Sequence, residues 1–348
     1  MRFAFTDEQR LFQKSMREWC ERDCPPAAVR AAWTSESGRA PERWAKLAEL
    51  GVLGVAAPES FGGLGGGALD WVLVLEEAGR AALPEPLLET AVVGVPLLVE
   101  TAAAWDRAGE WITRAAAGEA IFAVGLDGNL VADAHVADLI LFAGAGDALY
   151  AVERAGLPLP LRAQPSVDGA RRLFRVEPQP GPGVVRLGEG PALRRPLGDA
   201  RDRGALGAAA ELLGVAQHLL DATVEYVKVR RQFGQAVGSF QAIKHQLADA
   251  LVKLEFARPV VYRAADSLAR ALPDRAAHVS MAKAAASEAA LVVARAALQC
   301  HGAIGYSFEH DLHLWMKRAW ALAVAWGDAA WHRARVASAI LDGGTVHG

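Results

Sequence analysis

The sequence of 348 residues has few cysteines and little net charge, and each shortage excludes a class of protein. Its three cysteines, Cys20, Cys24 and Cys300, show no repeated metal-ligand spacing and are too few for a disulfide framework. We therefore expect a chain that is kept reduced in the cytoplasm. The formal net charge of −3 gives no electrostatic basis for binding nucleic acid or an anionic membrane surface.

Long apolar runs are missing as well. The most apolar stretch, LLETAVVGVPLLVETAAAW (87–105), is interrupted by Glu89, Gly94, Pro96 and Glu100. Such a stretch predicts buried helices of a globular domain and no membrane span. The first residues, MRFAFTDEQRLFQ, carry charges where the apolar core of a secretory signal would lie, so no signal peptide is expected.

The chain does have strong helical periodicity at both ends. Apolar residues recur every three or four positions from Thr6 to about Gly118, and an alanine-rich stretch with the same periodicity follows from residue 198. Between them, short apolar runs alternate with Gly, Pro and Asp, which predicts a small antiparallel β-domain. We predict a mainly helical α+β fold, with an N-terminal helical domain (1–118), a central β-domain (119–197) and a C-terminal four-helix bundle (198–348).

One short stretch, VRRQFGQAVGSFQAIKHQ (229–246), contains more polar and aromatic residues than a helix needs. Gly234 breaks the helical pattern, so Arg230, Gln232 and Phe233 are predicted to lie at a helix–loop–helix corner. An arginine fork matches phosphate oxygens, and Gln241 begins the next helix, where backbone donors favour an anion. The alternative is a surface arginine beside a capping glycine, and this stretch alone leaves both open.

The same stretch, with the Leu-Ala-Asp at 247–249 that follows it, resembles the signature of the acyl-CoA dehydrogenase family, in Arg-x-Gln-Phe-Gly and Phe-Gln. Other segments resemble the family in the same order. WAKLAELGVLGVAAPESFGGLG (44–65) is similar to the N-terminal domain, and VADLILFAG and VDGARRLFRVE are similar to parts of a β-domain that is shortened here. QCHGAIGYSFEHDL (299–312) resembles the glutamine–glycine segment, with Ala303 where a second glycine is usual.

The resemblance implies that the corner holds the pyrophosphate and adenosine half of FAD, in a flavin site that belongs mainly to a neighbouring subunit. Arg230 would bind a phosphate, and Gln232 and Phe233 would lie against the same half of the cofactor. The residues implied to contact FAD are Arg230, Gln232, Phe233, Gln241, Gln299 and Gly302.

The family's reaction needs a carboxylate that removes the α proton of an acyl-CoA thioester, and this chain departs from the family here. At the commoner position of the glutamate the alignment gives Trp326, followed by Gly327, and no glutamate follows Glu309. At the alternative position, counted back from Arg230, it gives Gly204, and the nearby acidic residues do not fall on that position: Asp199, Asp202 and Glu211. Asp328 is the remaining candidate near the first position, although it is shorter than glutamate and displaced by two residues.

The residues that hold the flavin ring in relatives are missing too. The corresponding stretch, IFAVGLDGNLVADAHVADLILF (121–142), has no threonine, no serine and no Trp-x-Thr. A flavin ring needs donors to its nitrogens and carbonyls. Both departures predict a chain without a complete catalytic centre.

Three hypotheses follow from these observations. The first is a subunit of an α2β2 acyl-CoA dehydrogenase of the kind that acts on steroid side-chain thioesters, with a homologous glutamate-bearing partner. An acyl-CoA would be the substrate, and an electron-transfer flavoprotein is the electron acceptor that the family implies. The second is a self-sufficient homo-oligomeric enzyme with an unusual base, Asp328 or Asp202. The third is a helical scaffold that has lost its flavin.

Overall fold

The capping of the first helix shows how the local sequence starts the N-terminal domain. We describe a computed structural model over residues 4–128, 130–154, 161–176 and 183–341. Thr6 Oγ1 accepts the Gln9 N–H at 3.2 Å, and Gln9 Oε1 accepts the Thr6 N–H at 3.0 Å, which forms a capping box. The helices of this domain are α1 (Asp7–Asp23), α2 (Pro26–Thr34), α3 (Pro41–Glu49), α4 (Ala68–Arg80), α5 (Val95–Thr101) and α6 (Ala108–Ala116).

The first part of the apolar stretch, residues 87–98, is buried except for the half-buried Pro96, as its sequence predicts, whereas exposed residues occur from Glu100 onward. Leu88–Gly94 forms a π-helix that continues into α5, and every residue of that π-helix is buried. Among the described residues, no helix has an apolar stretch that could cross a bilayer.

The central region contains two sheets. Its strands are β1 (Phe122–Gly125), β2 (Leu130–Ala132), β3 (Leu139–Gly144), β4 (Ala148–Glu153), β5 (Arg162–Gln164), β6 (Leu173–Arg175) and β7 (Val184–Gly188). The first sheet has the order β1-β3-β4-β7 and the second the order β2-β6-β5. Residues 129, 155–160 and 177–182 of the predicted β-domain lie outside the described residues.

The prediction of an antiparallel β-domain is wrong for one strand pair, because β1 and β3 run parallel, with Phe122 opposite Leu139. Parallel neighbours need a connection that crosses back to the starting edge. Here β2 makes that crossing while pairing with β6 in the second sheet. Short apolar runs between turn residues fix the existence of strands and not their direction, so the sequence pattern could not distinguish the two arrangements.

The C-terminal region is built on α7 (Pro191–Val229), a helix of 39 residues. It continues through a two-stranded hairpin, β8 (Arg231–Gln232) and β9 (Gln235–Ala236), into α8 (Gln241–Ala269), α9 (Arg275–His301), α10 (Leu312–Val324) and α11 (Ala329–Leu341). The mainly helical fold class is confirmed. The domain limits stay predictions: the limit at 197/198 lies inside α7, and residues 342–348 lie outside the described residues.

Two glycines let α7 cross α4 at very short range. A Cβ on Gly214 would lie 1.8 Å from the carbonyl oxygen of Glu76, and a Cβ on Gly79 would lie 2.0 Å from the carbonyl oxygen of Glu211. Neither position tolerates a side chain without separating the helices. This crossing joins the N-terminal domain to the C-terminal helices.

Candidate functional site

The corner at the end of α7 is a tight hairpin whose backbone is unusual. Gln232 pairs with Gln235, so Phe233 and Gly234 form the two-residue loop, with φ values of +50° and +79°. Positive φ at both loop positions is the geometry of a type I′ turn. Phe233 holds this costly conformation with its side chain 92 % exposed, so burial of its ring does not compensate for it.

The hairpin borders a cavity of about 780 Å³. Five of the six residues that the resemblance implies for FAD line it: Arg230, Gln232 and Phe233 from the corner, and Gln299 and Gly302 from the end of α9. The two groups are about 70 positions apart in the chain and are brought together by the packing of α7, α8 and α9. Gln241 is the first residue of α8, as predicted, but it is not part of this lining.

The chemistry of the cavity fits the adenosine diphosphate half of FAD. Arg230 provides a fixed positive charge, and Gln232 and Gln299 provide amide groups. The remaining walls are mainly apolar, from Val237, Phe240, Ile243 and Ile304. A volume of several hundred cubic ångströms with a few polar groups is typical of a cofactor site.

The two positions at which the resemblance expects a base meet in space. Trp326 lies in the turn between α10 and α11, and a Cβ built on Gly204 of α7 would lie 2.3 Å from Cδ2 of its indole ring. Trp326 and Gly327 adopt φ values of +59° and +93°, which turn the indole toward α7. Its buried N–H has no hydrogen-bond partner within the described part of the chain. An indole therefore fills this space, and neither position carries a carboxylate.

The aspartates proposed as unusual bases are already engaged. Asp202 forms a buried ion pair with Arg335 at 2.6 Å. Asp328 accepts the backbone N–H of Trp331 at 2.8 Å directly before α11, so it caps that helix.

Glu211, which the sequence analysis set aside because it does not fall on the expected position, has properties closer to those of a base. Burial raises the pKa of Glu211 to about 7, and the charge of Glu89 adds to the rise, whereas Arg318 and Arg171 oppose it. Glu211 lies seven positions after Gly204 on α7, which is two helical turns along the same face. That spacing was available in the sequence as a signal.

A buried lysine that the sequence analysis did not predict, Lys283, supports the turn that carries Trp326. Lys283 Nζ donates to the carbonyl oxygens of Ala323 and Gly327, each at 3.0 Å, and to Ser287 Oγ at 3.2 Å. Burial lowers the pKa of Lys283 to about 7, although the charge of Asp328 favours the ammonium. These bonds join α9 to the C-terminal end of α10.

A second cavity, of about 450 Å³, lies between the β-domain and the turn of Trp326. Its wall is mainly apolar and includes Trp320 and Trp326. Its charged side chains are engaged with other groups, since Arg171 pairs with Glu89 at 2.7 Å and Asp127 pairs with Arg201 at 2.7 Å. The flavin-ring donors that are missing from the sequence are not replaced by these charged side chains.

Family models and relatives agree with this architecture. The model of the acyl-CoA dehydrogenase N-terminal domain matches residues 6–119, and the model of the C-terminal domain matches residues 199–341. The chain belongs to the acyl-CoA dehydrogenase family, whose members are FAD-dependent oxidoreductases, and the predicted family and cofactor are confirmed at this level.

One sequence relative and two solved structures are similar to this chain over nearly its full length. The chain is 35 % identical over 320 residues to acyl-CoA dehydrogenase IpdE2 of Mycobacterium tuberculosis, which covers 90 % of this chain and 91 % of that protein. It is similar to a chain of the ChsE4–ChsE5 complex of M. tuberculosis, with a TM-score of 0.85, 27 % identity and coverage of 97 % and 98 %. It is also similar to the Tcur3481–Tcur3483 steroid ACAD G363A variant, with a TM-score of 0.84, 26 % identity and coverage of 98 % and 99 %.

Proposed function

We propose that this chain is the subunit of a hetero-oligomeric acyl-CoA dehydrogenase that helps to bind FAD and lacks the catalytic base. The observation that carries the proposal is the contact between Trp326 and Gly204. Both positions expected for the base lie at this contact, and the indole occupies the space that a carboxylate and a thioester would need. The reaction would be the α,β-dehydrogenation of an acyl-CoA, with a steroid side chain as the acyl group.

The nucleotide cavity supports the flavin-binding part of the proposal. Arg230 would hold the pyrophosphate, while Gln232, Phe233, Gln299 and Gly302 orient the same half of the cofactor. When bound, FAD supplies the acceptor for the hydride that leaves the β carbon. The proton acceptor would come from a homologous glutamate-bearing partner. Electrons would then leave to an electron-transfer flavoprotein, as the family implies.

The relatives support a two-chain assembly. One similar solved structure is described as a complex of two different chains, ChsE4 and ChsE5, and another as a steroid ACAD from two proteins. This chain covers nearly the full length of the compared chain in each, so the likeness extends over the whole subunit and not over one domain. The cytoplasm remains the predicted compartment.

Co-expression with a glutamate-bearing homologue tests the proposal. The chain alone should purify with little flavin and without dye-coupled acyl-CoA oxidation. The complex should be yellow, with the absorption of bound FAD, and should turn over. Full FAD occupancy and turnover by the chain alone would contradict it. A complex that forms without any flavin absorption would instead favour the scaffold hypothesis.

The raised pKa of Glu211 supports a second candidate, a self-sufficient enzyme with an internal base. A base that works at neutral pH needs a pKa near 7, which Glu211 has. We expect Glu211→Gln to leave turnover of the complex within about threefold, because the partner supplies the base. Asp202→Asn and Asp328→Asn serve as comparisons, since both aspartates have structural partners. A loss of turnover of about a thousandfold or more in Glu211→Gln alone, with normal flavin content, would favour the second candidate.

A further inference from the structure

One wall of the nucleotide cavity is a stacked pair of rings, Tyr226 and His301. Their centroids are 4.1 Å apart and their planes differ by 18°. Tyr226 lies one helical turn before Arg230, whose backbone N–H donates to the Tyr226 carbonyl at 2.9 Å. His301 is the last residue of α9 and directly precedes Gly302. Both rings line the cavity together with Arg230.

The protonation of His301 follows from its neighbours. Nδ1 lies 2.8 Å from the carbonyl oxygen of Ala297, and a carbonyl only accepts, so Nδ1 carries the hydrogen. Burial lowers the pKa of His301 below its ordinary value, although the bond to Ala297 opposes this, so the ring is neutral near pH 7. Nε2 is therefore a bare acceptor.

This acceptor lacks a partner. His301 is 5 % exposed, and its Nε2 is buried with no hydrogen-bond partner among the residues that the structure describes. Buried polar atoms in native proteins are nearly always paired, so an exception in the wall of a cavity points to a ligand group. The adjacent ring of His310 differs, because its Nδ1 accepts the N–H of Leu312 at 3.2 Å and it does not line the cavity.

We infer that His301 Nε2 accepts a hydrogen bond from the adenosine part of the bound dinucleotide, and so selects the nucleoside next to the phosphate that Arg230 holds. This inference rests on the proposed function. A pyrophosphate oxygen cannot donate to Nε2, which leaves a ribose hydroxyl or the exocyclic amine of adenine as the donor. Tyr226 and Arg230 are separated by about 6 Å along α7, the rise of one turn, so the ribose adjoining the phosphate is within reach of this wall.

Calorimetric binding of nucleoside diphosphates to the deflavinated co-expressed complex tests the inference. The probes are ADP, 2′-deoxy-ADP and 3′-deoxy-ADP, which lack one hydroxyl each, and IDP, which has a carbonyl oxygen in place of the amine. In the wild type, the probe that lacks the group donating to His301 Nε2 should bind roughly five- to twentyfold more weakly than ADP. The deoxy probes and IDP thereby distinguish the ribose from the amine.

His301→Phe keeps a ring that can stack on Tyr226 and removes Nε2. His301→Phe should lower the affinity for ADP by the same factor and abolish the difference in affinity between ADP and the weaker-binding probe. His310→Phe should leave the affinity for ADP and that difference unchanged. If all four probes bind the wild type equally, the inference is wrong, whether or not His301→Phe folds. Equal binding of ADP by the wild type and a folded His301→Phe would also overturn it. ADP binding that is absent, or unchanged in Arg230→Ala, would instead refute the flavin-binding function itself.

Discussion

Replacing Arg230 by alanine should lower the affinity of the co-expressed complex for FAD by roughly ten- to a hundredfold. A charge-assisted hydrogen bond to a phosphate contributes about 1.5–3 kcal/mol, which corresponds to that range. Arg230 is exposed at the end of α7 and its side chain lines the nucleotide cavity, so its loss should leave the fold intact. The measurement is the FAD content of the purified complex, followed by titration of the deflavinated complex with FAD.

Arg231 is the matched control for this experiment. It is the adjacent residue, it is also exposed, and its guanidinium donates to the carbonyl of Gly234 at 3.1 Å without lining the cavity. Arg231→Ala should change FAD affinity less than threefold. Equal losses in the two variants would indicate a general effect of surface charge, and no loss in Arg230→Ala would remove the corner from the flavin site.

Replacing Lys283 by methionine should remove a component of the pH dependence of stability. The folded pKa is lowered to about 7 from the ordinary lysine value of 10.5. Between these values the unfolded chain binds more protons than the folded chain at this position, so the free energy of unfolding rises with pH. The expected slope is about 1.4 kcal/mol per pH unit, or about 2 kcal/mol between pH 8.0 and 9.5. Lys283→Met should lack this rise.

Urea denaturation of the wild type and Lys283→Met at several pH values provides the measurement. The exposed Lys253 on α8 is the control position, and Lys253→Met should follow the wild-type curve. Parallel curves for the wild type and Lys283→Met would mean that the ammonium of Lys283 stays charged throughout, held by its three acceptors. The tryptophan fluorescence of the folded protein should also change in Lys283→Met, because Lys283 donates a hydrogen bond to the carbonyl oxygen of Gly327, which is next to Trp326.

The sequence predicted the elements that depend on local chemistry. Helical periodicity gave the mainly helical architecture, and Gly234 gave the break after Arg230, because its positive φ suits glycine. The direction of β1 relative to β3 could not be predicted, since it depends on β2 joining another sheet.

The candidate site was predictable to the extent that it follows contiguous motifs. Arg230, Gln232 and Phe233 lie within four positions of the chain, whereas Gln299 and Gly302 were assigned to the same site only through the family resemblance. The environments of Glu211 and Lys283 depend on burial between distant helices. No local pattern reports such burial, so Lys283 was not predicted and Glu211 was set aside on its position alone.

Under the proposed function, the close fit between Gly204 and the indole of Trp326 constrains the order in which a catalytic carboxylate could be introduced into this chain. Any side chain introduced on α7 at position 204 meets the aromatic ring, so an acidic residue there requires a prior change at position 326. A glutamate at 326 faces a glycine and meets no side chain at that position. A carboxylate would therefore be introduced in the turn first and on the helix later, and sterics impose the order of the two mutations.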